Sequence, residues 1–366
     1  AQAWSIGTCS HPPCSKFGRL LGFWREARAM GGMVRGLLVP CLSCLLAGPR
    51  SVSGGLAPGF PSVQVKGVLG EMAMPLYGIG TWEYNDTKAA LAVESAFAMG
   101  YRHVDTALIY NNHAGVGKAL AKTGVPREEY FVTTKIPGGL NASATVEALD
   151  TCLTQLGLDY VDLMLIHFPD SFDGHGGAAR RKEEWKTMEA WAKAGKARAL
   201  GVSHYCKHQT QDVLDVATVP VAVNQVQYHV GMGSDGDKAT DYRAWAQKQG
   251  ILYESFSPLC GPCTPPDNME LINGSLVTEI GRAHNKTGAQ VSLRWLVQQG
   301  IPVIPKSIDP HHLRNNMEIF DFTLSKEEMA RLTAADKPPV GGGPGPQDSG
   351  DCGMEAPKEE MLTIAV

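Results

Sequence analysis

Eight short, mostly apolar segments recur between residues 76 and 307, and helix-length stretches separate them. They are LYGIGT (76–81), HVDTA (103–107), YFVTTK (130–135), DLMLIH (162–167), ALGVS (199–203), VAVNQV (221–226), ILYESF (251–256) and PVIPKS (302–307). Most lack the apolar/polar alternation of a half-exposed strand, so both faces of each are expected to be buried. A strand–helix alternation of this kind specifies a parallel sheet with covering helices, and eight repeats close it into a (β/α)8, or TIM, barrel of α/β class. The intervening helices are placed at 87–99, 114–122, 143–156, 181–194, 206–217, 238–249, 276–299 in two pieces, and 311–318. The first of them has Asp86 as its N-cap, Ala90, Val93 and Phe97 on one face, and Gly100 as its stop. Ahead of the barrel, residues 63–66 and 71–74 read as a short β-hairpin.

Composition sets the boundaries. Residues 1–60 carry six Lys or Arg (Lys16, Arg19, Arg25, Arg28, Arg35, Arg50) against one acid, Glu26, and no sustained periodicity. That is a targeting or disordered segment. The apolar centre at 37–47 after Met33 resembles a secretory h-region, while the basic, acid-poor character also suits an organellar transit peptide. The barrel is therefore expected over 61–337, and the Gly/Pro-rich stretch that follows reads as a flexible tail over 338–366. A net charge of −4 and a pI near 6.3 exclude the basic surface that nucleic acid requires, and no apolar run is long enough to span a bilayer. Nine cysteines, an odd count, fit a reduced compartment. Cytoplasm is the expected location, with an organelle or the secretory pathway as the alternative that the leading segment leaves open.

Enzymes of this architecture keep their active sites at the carboxyl ends of the strands. Asp105, Tyr110, Lys135 and His167 all fall there, on three successive strand ends, and so many titratable groups are costly to bury without a task. An unperturbed Tyr, with a pKa of ~10, is a weak acid. A lysine ammonium beside the phenol lowers that pKa, and Asp105 holds the ammonium charged and in place.

The landmarks GTW (80–82), HVDTALIYNN, TTKIP, LIHFP, GVSHY, NQVQYH, SPLC and VIPKS, in that order, resemble those of the aldo-keto reductase superfamily over about 61–337. The resemblance implies a barrel that binds NADPH and reduces aldehydes or ketones, with Asp105, Tyr110, Lys135 and His167 as the catalytic four. Reduction of a carbonyl by hydride needs a proton donor for the forming alkoxide, the part that Tyr110 would play, and His167 is suited to orient the carbonyl. His167 stands where relatives that reduce carbon–carbon double bonds have Glu, which points to carbonyls. It further implies that Ser203, His204 and Gln225 meet the nicotinamide carboxamide, that Phe256 stacks on its ring, and that Ser257 and Leu259 lie along the cofactor. Lys306 and Ser307 would face the adenosine 2′-phosphate and Asn316 the adenine. Trp82, with His167, would line the substrate pocket. This chain departs from the family at His204 for Asn, Phe256 for Tyr and His312 for Arg, and Asp309 adds a negative charge near the phosphate. A monomer acting on a small-molecule carbonyl is expected. The alternative is a non-catalytic, NADPH-sensing barrel subunit.

Three other motifs carry less. Gly78-Ile-Gly80 lacks the third glycine of a dinucleotide fingerprint. Cys260-Gly-Pro-Cys263 matches a redox tetrapeptide but precedes a loop rather than a helix, and leaves open a thiol-dependent loop beside the cofactor. Pairing it with Cys41 and Cys44 as a zinc site would recruit half its ligands from the leading segment, so no metal is expected.

Overall fold

A computed structural model of the chain describes residues 56–171, 176–232, 242–259 and 269–335. The expected leading segment falls almost wholly outside the described residues, as do the tail, Cys260 and Cys263. Strands β1 (Ser62–Gly67) and β2 (Gly70–Pro75) form the expected antiparallel hairpin, with Val65 opposite Met72. Seven parallel strands then follow in chain order: β3 (Ile79–Gly80), β4 (His103–Asp105), β5 (Phe131–Ile136), β6 (Val161–Ile166), β7 (Ala197–Ser203), β8 (Val221–Gln227) and β9 (Leu252–Phe256). Every residue of β4, β5, β6, β7 and β8 is buried except Arg198, as the missing alternation required.

The eighth strand is present only in part. Val303 bridges Ser255 on one side and Tyr77 on the other, which closes the barrel. Its own N–H donates to Leu76 O at 3.1 Å, and Ser255 N donates to Pro302 O at 2.8 Å. Pro302 and Pro305 flank it without an N–H to give, so the ladder is cut to one bridge on each side. The backbones run close at this seam. A Cβ on Gly80 would stand 2.8 Å from Ile304 O, so Gly80 permits closure, while one on Gly78 would stand 2.7 Å from the His103 ring on β4.

The hairpin supplies Val65, Met72 and Met74 to an apolar cluster with Phe131, Leu163, Leu165, Ala199, Ala222 and Val223, largely at the amino-terminal ends of the strands. That end of the barrel is packed shut with groups worth roughly 1.5–3 kcal/mol each when fully buried. The main core joins helix and strand residues, among them Ala92, Val93, Trp185 and Met188 from helices and Val104, Met164 and Leu200 from strands.

The helices are α1 (Asp86–Ala98), α2 (His113–Lys122), α3 (Ala142–Leu156), α4 (Ala178–Trp191), α5 (Lys207–Leu214), α6 (Tyr242–Gln249), α7 (Met269–Asn273), α8 (Ser275–His284), α9 (Gly288–Val297), α10 (Pro310–Met317) and α11 (Lys326–Thr333). Asn85, not Asp86, caps α1, its side chain accepting from Lys88 N. Asp86 instead accepts from Gly115 N at 2.6 Å and ties α1 to α2. Ala89, Ala92, Val93, Ala96 and Phe97 form the buried face, with Ala90 at its edge. Gly100 stops the helix at φ 107°. Helix α4 begins and ends earlier than expected and gives way to a π turn over residues 192–196, in which Gly195 takes φ 88°. Helices α7 and α11 were not anticipated, although Ser325 and Glu328 form a capping box at the start of α11.

Candidate active site

Asp105 is the last residue of β4, Lys135 the fifth of β5, and His167 follows β6 directly. Tyr110 ends a single 3-10 turn after β4. Asn111 closes that turn at φ 53°, a left-handed conformation that asparagine tolerates. Asn112 then pins the turn. Its amide donates to Thr81 O and Tyr84 O, each at 2.8 Å, and its oxygen accepts from Thr106 Oγ1 at 2.9 Å. The paired asparagines thus fix where the phenol stands.

The structure brings the four expected residues together. Lys135 Nζ donates to Asp105 Oδ1 at 2.6 Å and to Thr106 O at 3.0 Å, and lies 3.4 Å from the Tyr110 hydroxyl. The His167 ring meets Tyr110 edge-on, with centroids 5.6 Å apart. Asp105 and Lys135 are buried, and Tyr110 is half-buried with its hydroxyl turned to the ammonium. Burial works against the Lys135 charge, but Asp105 and Tyr110 outweigh it and hold the ammonium above the usual lysine range. Burial raises Asp105, opposed by Lys135 and by a hydrogen bond from Gln225.

One electrostatic expectation is revised. Lys135 does lower the Tyr110 pKa, but burial is the larger effect, and the phenol is pushed up to about 12. In the resting protein Tyr110 therefore holds its proton throughout the neutral range. His167 is held well below the usual histidine range by burial, then by Lys135 and His204, so it is a neutral imidazole. Its Nδ1 is buried with no partner among the described residues.

On the cofactor side, Ser203 ends β7 and donates to Gln225 O at 2.9 Å. His204 follows at φ 58°, with Nδ1 3.0 Å from both His167 O and Ser203 Oγ. Since Ser203 spends its proton on Gln225 O, the proton between these atoms sits on His204 Nδ1, which leaves Nε2 as an acceptor. Burial lowers His204 to about 4, so it too is neutral. Its ring lies between Phe168 and Phe256, with centroids 4.6 and 4.7 Å away. Gln225 is buried in the barrel, its amide nitrogen 2.8 Å from both Asp105 Oδ2 and Glu254 Oε2. Ser257 takes φ 48°, and Leu259 is half-buried.

Lys306 is exposed. Its ammonium donates to Glu83 Oε2 at 2.6 Å and lies over Trp82 and Tyr84, 5.2 and 5.3 Å from the ring centroids. Asp309 accepts from His311 N and His312 N at the start of α10, and its own N–H donates to Ser307 Oγ. His312 is exposed and Asn316 buried. Half-buried Phe256, exposed Lys306, and His204 and Ser257, two non-glycine residues in the left-handed region, are thus the features found on the expected cofactor side.

Sequence reasoning missed His103 and Glu254. Both are buried, and Glu254 Oε1 lies 3.8 Å from His103 Nε2. Polar residues within otherwise apolar strands were the available signal.

A family model described as "Aldo/keto reductase family" matches residues 69–337. Glyoxal reductase of Bacillus subtilis (strain 168) is 38% identical over 266 residues, spanning 72% of this chain and 90% of that protein. The solved structure of MGS-M4, an aldo-keto reductase enzyme from a Medee basin deep-sea metagenome library, is 36% identical. It superposes with a TM-score of 0.65 and covers 72% of this chain and 93% of that one. Aldose reductase from Schistosoma japonicum gives a TM-score of 0.65 at 30% identity, covering 74% of this chain and 91% of that one. With a closed parallel barrel, four converging polar side chains at its carboxyl end and a family match across that whole barrel, the chain belongs to the aldo/keto reductase family.

Proposed function

We propose that this protein reduces small aldehydes and ketones to alcohols with NADPH, Tyr110 supplying the proton. The observation that carries the reading is the Asp105–Lys135–Tyr110 chain, with contacts of 2.6 and 3.4 Å, set edge-on against a neutral His167. When bound, the dinucleotide supplies the hydride that adds to the carbonyl carbon. His167, uncharged, donates a hydrogen bond to the carbonyl oxygen and turns it toward the phenol. Tyr110 Oη then gives its proton to that oxygen as negative charge develops there, and Lys135 stabilises the phenolate left behind. Asp105 keeps Lys135 charged and fixed.

Ser203, His204, Gln225, Phe256, Ser257 and Leu259 are assigned to the nicotinamide side and Lys306, Ser307, His312 and Asn316 to the adenosine side. His204 Nε2 would accept from the carboxamide N–H. Trp82, 37% exposed in the first strand–helix loop, is assigned to the substrate mouth. The names glyoxal reductase and aldose reductase point to small carbonyls as first substrates to try. The test is loss of NADPH absorbance with a panel of aldehydes. Turnover in the parent and its loss in Tyr110→Phe are expected, and a Tyr110→Phe variant retaining more than about a hundredth of parent turnover would remove the role, since general acid catalysis contributes roughly 10²- to 10⁴-fold.

A further inference from the structure

The barrel interior holds a second carboxyl for which the reduction described above has no task. Glu254, the middle residue of β9, stands beside Gln225 in the ladder between β8 and β9. The Gln225 amide nitrogen spans Glu254 Oε2 and Asp105 Oδ2 at 2.8 Å each, so its two N–H groups go to two different carboxyls. From β4, His103 brings Nε2 to 3.8 Å from Glu254 Oε1, beyond hydrogen-bond range, and lies 2.9 Å from Thr133 Oγ1 instead. Glu254 Oε1 has no hydrogen-bond partner among the described residues.

A count of charges decides what Glu254 is. The ionisable groups that face it are His103 and Asp105 on β4 and Lys135 on β5. His103 is neutral, because burial and then Lys135 press it down to about 3. Lys135 is the one buried lysine among the described residues and bonds to Asp105. One cation therefore faces two carboxyls in an interior from which water is excluded, and both cannot ionise cheaply. Asp105 receives both the ammonium and an amide N–H, so the charge belongs to Asp105. Burial first, then Asp105, raises Glu254 to about 8.

We propose that Glu254 is a positioning residue of the proton-donating site: held as a neutral carboxylic acid, it anchors Gln225 against Asp105 and leaves Asp105 as the sole anion facing Lys135. The inference rests on the reading of Tyr110 as proton donor. When Glu254 ionises, a second negative charge draws on the field of Lys135. Less of that field reaches the phenol, Tyr110 holds its proton more tightly, and reduction slows by about three- to tenfold.

Two measurements on the full chain test it. The first is infrared spectroscopy of the cofactor-free protein with ¹³C-labelled glutamate side chains, in a Glu184→Gln background because burial raises Glu184 to about 8 as well. The isotope-shifted carbonyl band of a protonated carboxylic acid is expected at pH 7, fading toward pH 9 and lost when Glu254→Gln is added. Absence of that band in Glu184→Gln at pH 7 overturns the proposal, as does its survival in the double variant. The second is kcat for glyoxal reduction at saturating NADPH from pH 6 to 10, in the parent and in Glu254→Gln, whose amide keeps the uncharged state at every pH. The expected result is a fall in the parent that Glu254→Gln lacks. Superimposable profiles overturn the proposal while Tyr110→Phe is still inactive, whereas an active Tyr110→Phe removes the proton-donor reading itself.

Discussion

Removing the ammonium from the barrel interior should expose how far the site is held together by one charge pair. Lys135 is fully buried and its Nζ is 2.6 Å from Asp105 Oδ1. In Lys135→Met the flexible apolar side chain occupies much of the same space, but the Asp105 carboxylate keeps only the amide N–H of Gln225. Losing one partner of a buried ion pair costs about 3–5 kcal/mol. For a domain of this size 1 kcal/mol moves Tm by roughly 2–4 °C, so a drop of about 6–20 °C is expected. The pH dependence fixes the cause. Burial already raises Asp105, and without Lys135 nothing but Gln225 opposes it. A carboxyl whose folded pKa is raised contributes stability that is complete below its unfolded pKa, ~3.9, and is lost as pH rises through the folded value. The variant should thus lie near the parent at pH 5 and fall progressively below it toward pH 8. The assay is thermal melting by circular dichroism, cofactor-free, at several pH values. A further Asp105→Leu change should return most of the lost stability without returning activity. A gap between parent and Lys135→Met that is constant from pH 5 to 8, or worth less than about 1 kcal/mol, would refute the ion-pair reasoning.

Other expectations follow from single contacts. Tyr110→Phe should lose carbonyl reduction by at least about 10²-fold while binding NADPH nearly as well, as read by cofactor fluorescence titration. Glu83→Gln should tighten NADPH about two- to fivefold and leave NADH unmoved, because the carboxylate that now holds Lys306 would no longer compete with a 2′-phosphate; equal tightening of both cofactors would mean that Lys306 does not meet that phosphate. Glu184 is buried and accepts from Gly139 N at 3.1 Å, and burial raises it to about 8. Its contribution to stability is complete below about pH 4.5 and lost as pH rises to 8, so Glu184→Gln should gain on the parent in melts over that interval, and a pH-independent difference would contradict the raised pKa.

The barrel was legible because its signal is repeated and two-sided. Strands such as DLMLIH and VAVNQV carry no polar face, and only a covered parallel sheet buries both sides. The eighth strand was legible in place but not in extent, since PVIPKS scans as a strand while its prolines limit it to one bridging residue. The cap of α1 illustrates a different limit. Asn85 and Asp86 are equally good caps on paper, and what separates them is a partner, Gly115 N, on the next helix.

Asp105, Tyr110, Lys135 and His167 were readable because each lies at or just past a strand end, where the architecture puts chemistry. Glu254 sits in the middle of β9, and nothing local says whether such a side chain finds water, a cation or another carboxyl. That answer comes from β4 and β8, some 150 and 29 residues away in sequence respectively, with Gln225 as the link. Lys306 shows the same dependence, for its nearest anion, Glu83, is supplied by the opposite end of the barrel sequence.

The raised phenol of Tyr110 also gives the site a direction. A lysine 3.4 Å from the hydroxyl would, in water, make tyrosine a better acid, yet here burial outweighs it and the proton stays on oxygen up to about pH 12. A group so placed is useless as a resting base and fully loaded as a donor. On the proposed reading its proton passes to the alkoxide forming from a carbonyl, and Lys135 then stabilises the phenolate that remains. Alcohol oxidation would, on the same reading, have to begin by taking that proton away, against the same burial. The balance of Lys135, Asp105 and a buried barrel interior is therefore proposed to speed reduction over oxidation at neutral pH.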